Sequence, residues 1–253
     1  MRMRPPQGGE ILRSKISSPR AQKEFDMQVV YEDNQIIVVI KPQNQPSQKD
    51  ESGDLDLLSE VKEYVKQKYN KPGEAFIGLV HRLDRPTGGL MVFARNSKSA
   101  ERLSKQLQSH QMQKVYFAVV EGKIKYQSQS LVHYLKKDEK NNIVKICPPL
   151  EEGAKKAELV YKTLQTNEKY SLLSVKILTG RSHQIRVQLA SIGHPIYGDM
   201  KYNKNAAKGN LALWAGRLEF THPTTKEKMV FIASPDEGKR PWNQFNISKY
   251  FVR

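Results

Sequence analysis

The chain has one cysteine, Cys147, in 253 residues, so no internal disulfide can form and a disulfide-stapled secreted fold is excluded. It has six histidines and neither a Cys-x-x-Cys nor a His-Glu-x-x-His pair, which leaves little material for a zinc site. Long apolar runs are missing as well. A run such as Ile36–Ile40 is far short of the ~20 residues that cross a bilayer. The start, MRMRPPQGGE, has basic residues with no apolar stretch behind them, so it does not read as a signal peptide. Gly-x-Gly-x-x-Gly, the P-loop pattern and Gly-x-Ser-x-Gly are all absent, which disfavours dinucleotide, ATP and serine-acylation chemistry. These absences describe a cytoplasmic chain working without membrane, metal or cofactor.

Positive charge is in surplus. Lys and Arg number 42 against 26 Asp and Glu, a net charge of +16. Such a surplus attracts polyanions. Nucleic acid is the leading partner, because binding it releases counterions in proportion to the phosphates neutralised. A generically basic protein is the bland alternative. The length suits one large domain or two small ones, at roughly 150 residues per domain, and can bury a sizeable core unaided.

Residues 1–25 read as a flexible basic arm, with Pro5, Pro6, Gly8, Gly9 and Pro19 among six cationic side chains and no apolar period. From residue 26 to 253 one α+β domain is expected, dominated by antiparallel sheet. Val29–Tyr31 and Gln35–Ile40 flank the turn Glu32-Asp33-Asn34, a hairpin pattern. Residues 41–53 are loop-like. Leu58, Val61 and Val65 share a helical face, and Pro72-Gly73 stops that helix. Ser97 can cap a second helix carrying Ala100, Leu103 and Leu107. Ile185, Leu189 and Ile192 fit a third, closed by Gly193. Most of the remaining text reads as strands.

Two stretches carry chemistry. In His81-Arg82-Leu83-Asp84-Arg85 a carboxylate lies between arginines, and close cations keep it ionised. That suits an electrostatic or nucleophilic role rather than a general acid; an ion-paired turn is the alternative. Gly88-Gly89 just beyond lets another backbone or a nucleotide approach closely. Gly180-Arg181-Ser182-His183-Gln184-Ile185-Arg186 puts two arginines and a histidine at a helix start, where backbone N–H groups and Arg181 can hold phosphate. A capped surface helix is the alternative. Tyr116, on an alternating segment, is either core or site.

HRLDRPTGG resembles the HRLD-x-x-T-S-G motif of the RluA family of RNA pseudouridine synthases. YEDNQIIVVIKPQNQPSQKD, KVYFAVVEG and LTGRSHQIRVQLASIGHPIYGD resemble its other blocks in the same order, over residues 27–235. The resemblance implies a pseudouridine synthase fold: a mixed, mainly antiparallel central sheet with peripheral helices and an active-site cleft. It implies isomerisation of uridine in RNA, in which the C1′–N1 bond breaks, the uracil turns and C5 joins C1′, with no cofactor or metal. Asp84 matches the family's essential aspartate, acting as nucleophile or base. Arg186 matches the arginine that pairs with it, and a bidentate fork between the two is expected. Tyr116 matches the active-site tyrosine, placed to stack on the uracil and to take its C5 proton. Because phenol is a poor base, that last role needs a lowered pKa or a strongly acidic intermediate. Arg82 matches an arginine that fills the vacated base stack. Arg85, Arg181 and His183 are expected RNA contacts, and His81 and Leu83 are expected to shape the loop.

Two positions depart from the family pattern. Gly88 stands where serine is usual and Gln188 where histidine is frequent. The stretch before residue 26 is too short for the small RNA-binding domain that many members carry there, so RNA affinity is expected from the basic surface and the arm. The partner is expected to be ribosomal RNA ahead of transfer RNA, bound by a monomer. A non-catalytic RNA-binding or ribosome-assembly protein on the same fold is the competing expectation.

Overall fold

The computed structural model describes residues 25–251. Almost all of the expected arm, 1–24, lies outside them. Phe25 belongs to the domain: its ring packs edge-on against Tyr64 at 5.5 Å.

The described residues form eleven strands in one sheet and three α-helices. β1 (Gln28–Glu32) and β2 (Ile36–Lys41) make the expected hairpin. α1 (Leu57–Lys68) follows, then β3 (Gly78–Leu79), β4 (Gly88–Ala94) and α2 (Ser97–Gln108). The strands β5 (Gln113–Glu121), β6 (Ser128–Asp138), β7 (Ile143–Cys147), β8 (Lys155–Thr166) and β9 (Tyr170–Ile177) come next. α3 (Gln184–Ser191), β10 (Leu213–Thr221) and β11 (Lys228–Ile232) complete the domain. The strand order is β1-β2-β4-β10-β5-β9-β8-β6-β7, with β3 also on β4 and β11 also on β10. Every strand pair is antiparallel except β4 with β10. The expected mixed, mainly antiparallel sheet is therefore present.

β2 and β4 are continuous apolar runs because both of their faces are covered. Ile37, Val39, Met91 and Phe93 join Leu57, Val61 and Val65 of α1 on one side. Ile36, Val38, Leu90 and Val92 join Leu103 of α2 on the other. β6 alternates instead, with Leu131 and Leu135 buried and Val132 and Lys136 exposed.

α1 starts at Asp56, whose carboxylate accepts from Ser59 N–H at 3.1 Å. α2 starts one residue earlier than expected: Asn96 is its cap, accepting from Ser99 N–H at 2.9 Å, and Ser97 is the first helical residue. α3 ends as expected, with Gly193 at φ 81° after Ile192. Among the described residues no helix is long and apolar enough to cross a membrane.

The single parallel contact matters for the site. Gly88 and Gly89 pair with Trp214 and Ala215, and Ala215 pairs in turn with Tyr116. Gly89, at φ 118°, must be glycine, because a Cβ would stand 2.4 Å from the Ala215 carbonyl oxygen. This row puts Tyr116 two strands from Gly89, about 9.6 Å at ~4.8 Å per strand. The loop carrying Asp84, which enters β4 at Gly88, opens beside that row.

Candidate active site

Across the sheet runs a cleft of about 1120 Å3, lined by Arg82, Asp84, Tyr116, Arg181 and Arg186 among others. It exceeds the ~300–1,000 Å3 usual for small-molecule pockets.

Asp84 sits in the loop between β3 and β4, its side chain 27% exposed. Residues 41–47, which the sequence presents only as loop, clamp the backbone around it. Ser47 Oγ accepts from Leu83 N–H at 3.1 Å and donates to the Leu83 carbonyl at 2.8 Å. Gln43 Nε2 donates to the Pro86 carbonyl at 3.1 Å. Lys41, fully buried, donates to the carbonyls of Pro42, Gln45 and Arg85 at 2.8, 2.7 and 3.0 Å. Three carbonyls match the three N–H bonds of an ammonium. Burial lowers the pKa of Lys41 to about 7, and the charge of Asp84 opposes that shift. A Pro- and Gln-rich segment gives no sign of this duty, because the groups it binds are carbonyls that every residue has.

Arg186 comes from the first turn of α3. Its expected fork to Asp84 is corrected by the structure. Nε and Nη2 close on Asp199, at 2.8 and 2.7 Å. The remaining Nη1 lies 3.8 Å from Asp84 Oδ2, an ion pair without a hydrogen bond. The reason is burial: the Asp199 side chain is 0% exposed and must be paired, whereas Asp84 keeps contact with solvent. Asp199 Oδ1 also accepts from the N–H groups of Lys201 and Tyr202, at 3.0 and 3.2 Å. Burial works against the charge of Arg186, but the Asp199 bond and the two carboxylates prevail and raise its pKa. The Tyr202 ring, 5.2 Å away, covers the guanidinium. Asp199 and Tyr202 were not singled out from sequence, although the GHPIYGD block contains Asp199.

Tyr116 is 6% exposed and faces the cleft. Burial, and after it the negative charge of Asp84, raises its phenol pKa. The lowered pKa that would make a phenol a better base is therefore not what this environment provides.

The remaining expected residues divide. Arg82 is exposed on the cleft and, among the described residues, pairs with no carboxylate. Arg85 is held by Asp54, and its Nε donates to the Asn44 carbonyl at 3.0 Å, which ties the loop to the clamp segment. Arg181 Nε donates to the Lys156 carbonyl at 3.0 Å, and its N–H goes to Gln184 Oε1, also at 3.0 Å. His183, at φ 52°, is buried, and its Nδ1 lies 2.7 Å from the Tyr202 hydroxyl. That hydroxyl also accepts from Val144 N–H at 2.9 Å. Burial, opposed by Asp84, lowers the pKa of His183. His81 is buried too, with Nε2 accepting from Val92 N–H at 3.2 Å.

Both departures from the family pattern have local causes. A Cβ on Gly88 would meet the Trp214 ring at 2.3 Å, so the indole occupies the space of the usual serine. Gln188 Nε2 donates to the carbonyls of Leu131 and Ala157 at 3.2 and 3.3 Å, which ties α3 to β6 and β8.

A basic cleft around a buried Arg186–Asp199 pair and a part-exposed Asp84, on this sheet, defines an RNA-modifying enzyme of the pseudouridine synthase class. Residues 35–191, more than half of the chain, match the RNA pseudouridylate synthase family, and the chain belongs to it. Its reaction is the isomerisation of uridine in RNA to pseudouridine. The ribosomal large subunit pseudouridine synthase C of Vibrio vulnificus is 32% identical over 230 residues, covering 87% of this chain and 70% of that one. The tRNA pseudouridine synthase C of Vibrio parahaemolyticus is 31% identical over 239 residues, covering 87% and 93%. In structure the chain is similar to human RNA Pseudouridylate Synthase Domain Containing 4, with a TM-score of 0.70 at 21% identity over 85% of this chain and 90% of that one. That likeness is one of fold.

Proposed function

We propose that Asp84 acts on the glycosidic step of this isomerisation, with Arg186 presenting a fixed positive charge to its carboxylate and Asp199 holding Arg186. The observation supporting these roles is the single guanidinium shared between a buried acid and a part-exposed one: Asp199 takes the fork, and Asp84 faces the cleft within 3.8 Å of the third nitrogen. The fork restrains the arginine, so Asp84 meets a fixed positive charge that needs no reorganisation during the reaction. Chemistry on a stacked base requires extrusion. Arg82, exposed and without an acid partner, fills the stack the uridine leaves. The Tyr116 ring stacks on the uracil. After C5 has bonded to C1′, its hydroxyl relays the C5 proton away, driven by the acidity of that intermediate because the phenol itself is a weaker acid than usual.

Ribosomal RNA is taken as the target ahead of transfer RNA, following the ribosomal relative at 32% identity. Transfer RNA is the second alternative, favoured by the 93% of the tRNA enzyme that this chain spans. The enzyme works as a cytoplasmic monomer without metal or cofactor. RNA lacking the modification and tritiated at uridine C5 is the test, since forming the C5–C1′ bond removes that hydrogen. Release of label to water from one RNA class, with the new pseudouridines mapped against a deletion strain, is expected. No release from either class by folded enzyme counts against catalysis and favours a purely RNA-binding role.

A further inference from the structure

The lysines and arginines lining the cleft are nearly all engaged. Arg186 is held by Asp199, Arg85 by Asp54 and Lys137 by Glu139, while Arg181 and Lys201 donate to the carbonyls of Lys156 and Asn142. Of the described cations that line the cleft, two have no such partner, Arg82 and Lys114. Arg82 stands in solvent, where an unpaired charge carries no penalty. Lys114 is different: it is half-buried in the cleft wall.

Lys114 lies two residues before Tyr116 on β5, so both side chains leave the same face of the sheet. Its Nζ lies over Gly180, 3.9 Å from where a Cβ on that residue would stand. Gly180 has no positive φ that would demand glycine. Its missing side chain lets the ammonium rest beside the Gly180 backbone at the cleft wall. Burial lowers the pKa of Lys114 to about 8. Partly withdrawing a charge from water without a partner is unfavourable. An ammonium kept in this state beside the site is one whose partner arrives with the substrate.

We infer that Lys114 binds a phosphodiester adjoining the target uridine, held on the cleft side of the Lys114 ammonium. The inference rests on the uridine-isomerising function of the cleft. Phosphodiesters are the formal anions of RNA, and one nucleotide supplies both a base for the Tyr116 ring and a phosphate for the neighbouring ammonium. This gives β5 two duties: Tyr116 meets the extruded base, and Lys114 fixes the backbone from which it was extruded. Peripheral lysines supply general attraction, whereas Lys114 acts only once the nucleotide has entered.

The test uses Lys114→Met and Lys114→Arg in the full chain, with matched melting curves to establish folding. On an RNA that the wild type modifies, Lys114→Met raises KM at least tenfold with the smaller part of the loss in kcat, and Lys114→Arg restores much of the KM. A methylphosphonate, which removes the charge of one linkage next to the target uridine, weakens the wild type at one of the two flanking positions and leaves Lys114→Met indifferent there. An equal penalty in both proteins at both positions overturns the inference, as does an unchanged KM. Direct binding gives a further reading that stands apart from turnover. The slope of log affinity against log salt falls by about 0.7–0.9 in Lys114→Met, the share of one phosphate; an unchanged slope counts against the contact. If the wild type binds RNA with Lys114 contributing to that slope but isomerises nothing, the catalytic function fails and the phosphate contact survives.

Discussion

Arg186 grips Asp199 with two nitrogens, at 2.8 and 2.7 Å, and offers Asp84 only the third, at 3.8 Å. One guanidinium thereby has a structural partner and a partner in the cleft. The two acids differ in what their loss does. Asp199→Asn leaves a buried arginine short of its counter-charge, a change worth about 3–5 kcal/mol. Asp84→Asn removes a long contact at a part-exposed position, where exposed pairs contribute about 0–1 kcal/mol. Urea unfolding of both variants is expected to give a large loss for Asp199→Asn and a small one for Asp84→Asn. Equal losses contradict the division of roles.

Tyr116→Phe keeps the ring and removes the hydroxyl. Stacking on the uracil is expected to survive, so RNA affinity stays close to the wild type. Turnover is expected to fall by about 10²–10⁴, the range for losing a positioned proton-transfer group. Single-turnover release of C5 tritium measures it. Wild-type release by this variant assigns the proton to another group.

Gly88 and Trp214 are expected to depend on each other. Gly88→Ser drives a side chain into the indole and is expected to cost about 1–3 kcal/mol, as overpacking does. Trp214→Leu in the same chain opens the space and is expected to reduce that penalty. A double-mutant cycle in urea measures the coupling. Strict additivity contradicts the steric explanation.

Acid sensitivity is expected from His81. Burial, helped by the charge of Lys114, pulls its pKa from 6.5 to about 3. Between these values the unfolded chain binds a proton that the folded protein refuses. Stability is therefore full above pH 6.5 and falls as the pH drops toward 3, by up to ~1.4 kcal/mol per pH unit. His81→Asn, which can still accept from Val92 N–H, is expected to flatten that slope between pH 7 and 5. Parallel slopes for the two proteins assign the acid sensitivity elsewhere.

Much of this was legible in the residues themselves. Ile36–Ile40 and Leu90–Ala94 read as strands from their short β-branched and apolar runs, and the structure adds that both faces are covered. The Asp84 loop is marked by its arginines and glycines. The partner of Arg186 was not legible. Asp199 follows a glycine in a turn, and nothing local distinguishes an acid that caps its own turn from one that also takes a guanidinium fork. The clamp at 41–47 escaped for another reason. Lys41, Gln43 and Ser47 bind main-chain carbonyls of the Asp84 loop, and a carbonyl has no residue type. Gly88 reads as a lost hydroxyl contact until Trp214, its neighbour through the one parallel strand pair, is known. Phe25 reads as arm because its partner, Tyr64, lies on α1.

The role of Asp84 is tested most directly by single-turnover release of tritium from RNA labelled at uridine C5, comparing the wild type with Asp84→Asn at saturating enzyme. Complete release by the wild type, and release at background by an Asp84→Asn protein that still binds the RNA and melts near the wild-type temperature, is the expected result. Release by Asp84→Asn at the wild-type rate contradicts the role given to Asp84 and, with it, the purpose of the arginine held beside it.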